Sequence, residues 1–250
     1  MGEAVAVPNV DPTKREARGG CTPEENLRRA ARRARTQVRR YCVANQLFRM
    51  WTLTYGAEKG PRATTHDQVV RDIGLFVKAL RKALPGSPRF AYVWVPELHK
   101  DGVHYHVHFL VDRFIPRSVM EAAWGHGYVG VPKARDKSGQ RIQGKGAVRR
   151  AAGYASKYVG KAYEDRSAGG HRYECAQGFQ PVSLEIRAEQ LTTFRGIAAS
   201  WFGGEVPSWA WSSSSVEGWT GPPVHMWGWE GEGEEVNMSH GRTELVGARV

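Results

Sequence analysis

The 250-residue chain is long enough for one good-sized domain, or for one domain with tails. Hydrophobic residues make up 41% of it and charged residues 24%, which excludes a collagen-like, wholly disordered or coiled-coil protein. The formal net charge is +11, and a basic surface of this size usually binds a polyanion, most often nucleic acid.

The sequence lacks the usual features of membrane and secreted proteins. No stretch approaches the roughly 18–20 continuous apolar residues of a membrane span, and residues 1–20 contain no apolar core of a signal peptide. Cys21, Cys42 and Cys175 are too few and too scattered for a disulfide framework, and their spacing does not match a zinc site. We therefore expect a cytoplasmic protein with no membrane partner.

The first predicted element is an arginine-rich helix from Thr22 to about Ala44. Thr22 can cap this helix, Pro23 suits its first position, and Glu25 completes a capping box. Guanidinium groups donate paired hydrogen bonds to phosphates, so we expect the helix to bind a nucleic-acid backbone. A solvated surface helix is the alternative. The residues predicted to bind DNA are Arg28, Arg29, Arg32, Arg33, Arg39, Arg40, Lys145, Arg149 and Arg150.

The predicted elements that follow alternate between strands and helices. Asp101-Gly102 lies in a short connection between two predicted strands, which favours a hairpin. In chain order we predict a strand over Leu47–Tyr55, a helix capped at Thr65 that ends before Pro85, strands over Phe90–Glu97 and Val103–Asp112, a helix over Pro116–Trp124, a strand over Tyr128–Val131, a basic loop over 132–145, a helix over 147–163, a strand over Leu184–Glu189 and a helix over Leu191–Phe202.

Residues 139–146 come within one residue of a phosphate-binding P-loop. They lack the Ser or Thr that would hold magnesium, and no buried strand precedes them. We therefore predict a flexible basic loop and no nucleotide cofactor.

The predicted strand Val103–Val111 contains three alternating histidines. Because side chains alternate along a strand, His104, His106 and His108 share one face, and the intervening apolar residues face the core. The hairpin brings Glu97 back beside these histidines. A carboxylate and two imidazoles suit a divalent ion with open coordination positions, such as Mn²⁺ or Mg²⁺. A coincidence of residue types is the alternative.

A second group of candidate residues lies on the predicted helix 147–163. Tyr154, Lys157, Tyr158 and Lys161 are spaced to form one stripe along it. A phenol is a poor nucleophile at neutral pH, but a neighbouring ammonium group favours the phenolate and can neutralise charge on a phosphate. The stripe therefore suits covalent attack on phosphorus, and a solvated helix face is the alternative. A second stripe predicts close packing on a sheet through Val148, Ala152, Ala155, Val159 and Ala162.

Together these motifs resemble the HUH endonucleases, specifically the rolling-circle replication initiators of small phages and plasmids. The resemblance covers about residues 47–165, and it implies an α+β fold with a central antiparallel β-sheet flanked by helices, of the ferredoxin/RRM-like kind. The order of predicted elements agrees with that fold. The family's three motifs occur in the family's order as the strand Phe48–Tyr55, the histidines His104, His106 and His108, and the helix segment Tyr154–Lys161.

The resemblance also implies which residues bind the ion. In the family, two histidines and an acidic residue hold a divalent metal. Glu97, His106 and His108 fit this role best, and the alternative register uses His104 and His106.

The resemblance further implies a covalent reaction. The family's tyrosine joins to the 5′ phosphate at a nick and leaves a 3′ hydroxyl that primes synthesis. Tyr158 is the first candidate for this residue. Tyr154 and Tyr158 have the spacing found in relatives whose two tyrosines act in turn.

The resemblance leads to a functional prediction. We expect a metal-dependent endonuclease, a nickase and strand transferase, that cuts and rejoins single-stranded origin DNA to drive rolling-circle replication. Lys157 and Lys161 would offset charge at the phosphate, and a host helicase and DNA polymerase in the bacterial cytoplasm would assist. The alternatives are a relaxase or single-strand transposase with the same chemistry, and a non-catalytic metal-containing DNA-binding protein.

The predicted organisation has four parts. A flexible N-terminus over 1–21 precedes the arginine-rich helix over 22–46 and the endonuclease domain over 47–204. The tail over 205–250 is acidic and rich in Trp, Gly and Ser, and we expect it to be partly disordered.

Overall fold

A computed structural model describes residues 2–7, 22–131, 144–164, 172–184, 186–220, 222–229, 243–245 and 248–249. Residues 132–143, which make up most of the predicted basic loop and include residues 139–143 of the P-loop-like segment, lie outside this description. The chain divides into two compact units: Thr22–Phe179, and a second unit formed by Met1–Cys21 with Gln180–Val250. Within the described segments, every helix is too short or too polar to cross a bilayer.

The α-helices of the described residues are α1 (Pro23–Ala44), α2 (His66–Ala83), α3 (Arg117–Trp124), α4 (Gly144–Glu164) and α5 (Leu191–Trp201). The strands are β1 (Gly2–Val7), β2 (Arg49–Tyr55), β3 (Tyr92–Leu98), β4 (Tyr105–Val111), β5 (Gly127–Gly130), β6 (Glu174–Cys175), β7 (Val182–Leu184), β8 (Trp209–Ser212), β9 (His225–Trp229), β10 (Thr243–Leu245) and β11 (Ala248–Arg249).

The helix starts confirm the capping signals of the sequence. At the start of α1, the Thr22 hydroxyl accepts a hydrogen bond from the Glu25 N–H at 3.2 Å, and the Glu25 carboxylate accepts one from the Thr22 N–H at 2.9 Å. The Thr65 hydroxyl likewise accepts from the Gln68 N–H before α2. Each cap satisfies backbone donors that have no partner within the helix.

The first unit is built around a five-stranded antiparallel sheet in the order β5-β2-β4-β3-β6. One face packs on α2 and α3 through a large apolar core that includes Phe76, Phe109 and Trp124. The opposite face packs on α1 and α4 through a second core that includes Val38, Leu110 and Ala155. This is the predicted α+β fold, a central antiparallel sheet flanked by helices.

Small residues bring α4 close to α1 and the sheet. Val148, Ala152, Ala155 and Val159 are buried, as their spacing predicted. Gly160 faces Arg35 of α1 so closely that a β-carbon at this position would lie 3.3 Å from the Arg35 Cδ. The close packing fixes the helix that carries the two candidate tyrosines.

The second unit contains a four-stranded sheet in the order β11-β1-β9-β8 and a separate parallel pair, β10-β7. Residues Gly2–Val7 were expected to be flexible but form β1, which pairs with β9, and Ala4 and Ala6 are buried beside Trp227 and Trp229. The strand predicted over Leu184–Glu189 overlaps the described β7 only at Leu184, because β7 pairs with β10 over Val182–Leu184.

Candidate functional site

The β3–β4 hairpin places Glu97 beside two of the three histidines. Glu97 lies directly opposite His106 in the antiparallel register, and His108 lies two residues further along the same face of β4. The Nε2 atoms of His106 and His108 lie 3.0 and 2.8 Å from Glu97 Oε2. Three ligand atoms, one from each residue, lie within 4.8 Å of one another. The group could therefore hold a metal ion.

The chemistry of the three donors fits a divalent cation. One carboxylate oxygen and two imidazole nitrogens form a mixed ligand set with few protein ligands, which leaves coordination positions for water or substrate. The Nδ1 atoms of His106 and His108 are buried and have no hydrogen-bond partner in the described part of the chain. It is therefore Nε2 of each ring that is directed at Glu97 and available for coordination.

The protonation of this group favours cation binding. Burial alone would raise the pKa of Glu97, but hydrogen bonds with His106, His108 and Lys161 outweigh it and hold that pKa well below its usual range. Burial lowers the pKa of His108, which favours the neutral imidazole. An ionised carboxylate and a neutral imidazole are the forms that bind metals.

His104 lies apart from this group. The Asp101 carboxylate accepts hydrogen bonds from the N–H groups of Val103 and His104, both at 3.0 Å, and lies 2.8 Å from His104 Nδ1. These contacts hold the connection in a turn until Tyr105, so β4 begins two residues later than predicted. The geometry brings Glu97, His106 and His108 together, in the first of the two registers that the sequence left open.

The tyrosines of α4 lie against the histidine group. The Tyr158 ring stacks on the His108 ring, with centroids 3.7 Å apart, and is buried. Its hydroxyl donates a hydrogen bond to the Tyr154 hydroxyl at 2.8 Å. Tyr154 is the more exposed of the two, with 37% of its surface accessible. The two phenol oxygens are thus hydrogen-bonded to each other, and the Tyr158 ring is in contact with the candidate metal ligand His108.

The two lysines of the stripe differ in their contacts. Lys161 Nζ donates to Glu97 Oε1 at 2.8 Å and lies 5.1 Å from the centre of the Tyr158 ring. Lys157 is exposed on the helix surface. From the sequence, Lys161 was expected at the phosphate, and its ion pair with Glu97 could not be predicted because no local pattern links residues 64 positions apart.

The expected activation of the phenol is not seen in this arrangement. Burial, followed by the hydrogen bond with Tyr154, raises the pKa of Tyr158 above its ordinary value. Lys161 lies over the ring face, and its ammonium group pairs with the Glu97 carboxylate rather than with the phenol oxygen. The phenol of Tyr158 is therefore protonated at neutral pH in this state.

The residues predicted to bind DNA lie on α1 and at the start of α4. Arg29, Arg32, Arg33 and Arg39 are exposed, and Arg28 is exposed but pairs with Glu24 at 2.8 Å. Arg40 is only half-exposed. Arg149 and Arg150 are exposed on α4, and the side chain of Lys145 lies outside the described residues.

The fold and site together define an α+β protein with a Glu-His-His group beside a tyrosine helix. In the comparison with known proteins, the family model described as "Replication-associated protein ORF2/G2P" matches residues 48–163. The match confirms the resemblance to replication initiators and supports a role in DNA replication. The matched segment contains β2 to β5 and nearly all of α4, and with them the Glu-His-His group and the tyrosines and lysines of the α4 stripe. Searches of curated proteins and of solved structures found no match.

Proposed function

We propose that the chain is a nickase and strand transferase that starts rolling-circle replication on single-stranded origin DNA. The observation that carries this proposal is a pair of phenol oxygens 2.8 Å apart, one of which belongs to the Tyr158 ring that stacks on the candidate metal ligand His108. A phosphate held beside the Glu-His-His group would lie within reach of either tyrosine. The family match to replication-associated proteins supports the same role.

The reaction proposed here is a transfer of a phosphoryl group to tyrosine. The phenol oxygen of Tyr158 gives up its proton to solvent as it attacks the phosphorus of the scissile phosphate, and it forms a 5′-phosphotyrosine bond. The bond between phosphorus and the 3′ oxygen breaks, and that oxygen leaves as a hydroxyl after taking up a proton. Attack by a 3′ hydroxyl on the phosphotyrosine reverses the step and rejoins the strand.

The side chains around Tyr158 have distinct roles in this proposal. Glu97 and the Nε2 atoms of His106 and His108 would hold Mn²⁺ or Mg²⁺, which supplies Lewis-acid polarisation of a phosphoryl oxygen. The stacked His108 ring fixes the direction of the phenol. Tyr154 accepts the hydrogen bond of the Tyr158 hydroxyl and is placed to act as the second nucleophile. Lys157 and Lys161 offset charge at the phosphate.

DNA is bound mainly through its backbone in this proposal. The exposed arginines of α1, with Lys145, Arg149 and Arg150 of α4, contact phosphates. The 3′ hydroxyl left at the nick is a primer, so we propose a host helicase and a host DNA polymerase as partners in the bacterial cytoplasm.

The test does not require the origin sequence. The chain is incubated with a random library of single-stranded DNA and Mn²⁺, denatured in SDS, and purified with whatever DNA stays covalently attached. Sequencing should reveal one shared motif at the attached 5′ ends. The matched control replaces both Tyr154 and Tyr158 with Phe, which removes two oxygens and keeps both rings. Covalent DNA at the level of that control would instead support a non-catalytic metal-containing DNA-binding protein.

A further inference from the structure

A single row of side chains crosses four strands of the sheet in the first unit. The register pairs Glu97 with His106, His106 with Thr54, and Thr54 with Tyr128. Directly opposite residues of neighbouring strands point to the same face of a sheet. Tyr128 therefore lies on the face of the Glu-His-His group, two strand spacings or about 10 Å from His106.

The burial of β5 independently supports this orientation. Val129 is buried in the core beneath α2 and α3, so its neighbour Tyr128 points to the opposite face. Tyr128 is 62% exposed, an unusual state for a large aromatic residue in a sheet. On the same side, Thr52 and Thr54 are half-buried, and Gly130 contributes no side chain.

The exposed part of this face is continuous with the candidate metal site. The second core packs α1 and α4 on β3, β4 and Met50 at the beginning of β2. Thr54 and Tyr128, at the other end of their strands, do not belong to that core. The result is a partly open polar floor that runs from the Glu-His-His group to an aromatic ring at the sheet edge.

We propose that Tyr128 is a stacking platform for one base of single-stranded DNA, next to the phosphate that is cut. This inference rests on the proposed function and adds a base-binding subsite to it. An exposed ring stacks on any base because every base has a π face.

The proposed occupant is a nucleobase because of what surrounds the ring. At its other end, the polar floor reaches the Glu-His-His group, which could hold a metal ion that binds phosphate oxygens. The chain also carries a net charge of +11, which favours a polyanion. A strand whose phosphate lies at His106 would extend over Thr54 and reach Tyr128 with its next bases. The ring then fixes the strand relative to the tyrosine helix.

The test compares two 15-nucleotide probes that carry the same phosphates. One is oligothymidine, and the other has an abasic sugar at every position. Tyr128→Ala should weaken binding of oligothymidine by roughly 5- to 150-fold, the decrease expected for one stacked base, and should leave binding of the abasic strand unchanged. Tyr128→Phe should bind both strands as the wild type does, because it keeps the ring.

Phe114→Ala is the matched control, since Phe114 is 64% exposed and packs with Arg49 at the end of the sheet away from this floor. It should leave binding of both probes unchanged. Equal decreases in affinity for both probes after Tyr128→Ala, or no decrease for either, would overturn the subsite. A wild-type chain that traps covalent DNA while Tyr128→Ala binds oligothymidine normally would overturn the subsite and keep the proposed nickase. A wild-type chain that binds neither probe and traps no DNA would overturn both.

Discussion

The ring of Tyr158 stacks on the ring of His108 with centroids 3.7 Å apart and planes inclined by 26°. One ring belongs to α4 and the other to β4, so the contact joins the tyrosine helix to the candidate metal ligands. Any shift of α4 along the sheet would move the phenol oxygen relative to the ligand group. The packing of α4 is therefore as important to the proposed chemistry as the residues of the site.

The assignment of metal ligands predicts different effects for two histidines in the same segment. His106→Ala should weaken Mn²⁺ binding by more than about 10-fold, because even partners behind the ligands contribute 10- to 100-fold. His104→Ala is the control, because the His104 ring pairs with Asp101 and lies outside the group. Calorimetric titration with MnCl₂ measures both affinities. Equal Mn²⁺ affinity for the two variants would show that the ion is bound elsewhere.

The hydrogen bond between the two phenols predicts the behaviour of single tyrosine variants. If the tyrosines act in turn, Tyr154→Phe and Tyr158→Phe should each form one covalent adduct and then fail at the second transfer that closes a circle. If Tyr158 acts alone, Tyr158→Phe should form no adduct and Tyr154→Phe should act almost normally. Single-turnover reactions use the DNA motif recovered in the covalent-trapping experiment, and denaturing gels then distinguish the two outcomes. An adduct in the double Phe variant would place the nucleophile at another residue.

The exposed arginines of α1 predict a change in the salt dependence of DNA binding. Replacing Arg32 and Arg33 with Gln should flatten the plot of log K against log salt by up to about 0.7–0.9 for each phosphate that the helix no longer neutralises. Lys78→Gln with Lys82→Gln removes the same charge from α2, on the opposite side of the sheet, and should leave the slope unchanged. Fluorescence anisotropy with single-stranded DNA gives the slope. If the two double variants have the same slope, α1 does not bind DNA.

Two substitutions on α4 test the packing that positions the tyrosines. Ala155 is fully buried between α4, α1 and the sheet, so Ala155→Leu should lower the free energy of unfolding by about 1–3 kcal/mol. A β-carbon at exposed Gly153 would meet no atom within 4 Å, so Gly153→Ala should raise it by roughly 0.5–1 kcal/mol. Urea unfolding measures both. Similar effects of the two substitutions would mean that α4 does not pack as described.

Local signals in the sequence predicted much of the first unit. The capping box at Thr22 and Glu25 fixed the start of α1, and the hairpin placed Glu97 beside His106. The choice between His104 and His108 could not be made from alternation alone, since it depends on where β4 begins. The three contacts of Asp101 with Val103 and His104 determine that position.

The pairings between strands that are distant in the chain could not be predicted from the sequence. The pairing of β1 with β9 joins residues more than 200 positions apart, and Ala4 and Ala6 give no hint of their distant partners. Likewise, the row from Glu97 to Tyr128 depends on three pairings among four strands. Periodicity predicts which face of a strand is buried, but it does not predict which strand lies next to it.

The most direct test of the central claim is to identify the residue that carries the DNA. Trypsin cleaves after Arg150, Lys157 and Lys161, so Tyr154 and Tyr158 fall in separate peptides, 151–157 and 158–161. The wild-type adduct, formed in Mn²⁺ and trimmed with nuclease, is digested and analysed by tandem mass spectrometry. The account predicts a nucleotide joined through its 5′ phosphate to Tyr158, or to both tyrosines if they alternate. No adduct, or a nucleotide on Tyr163 or Tyr55 instead, would contradict it.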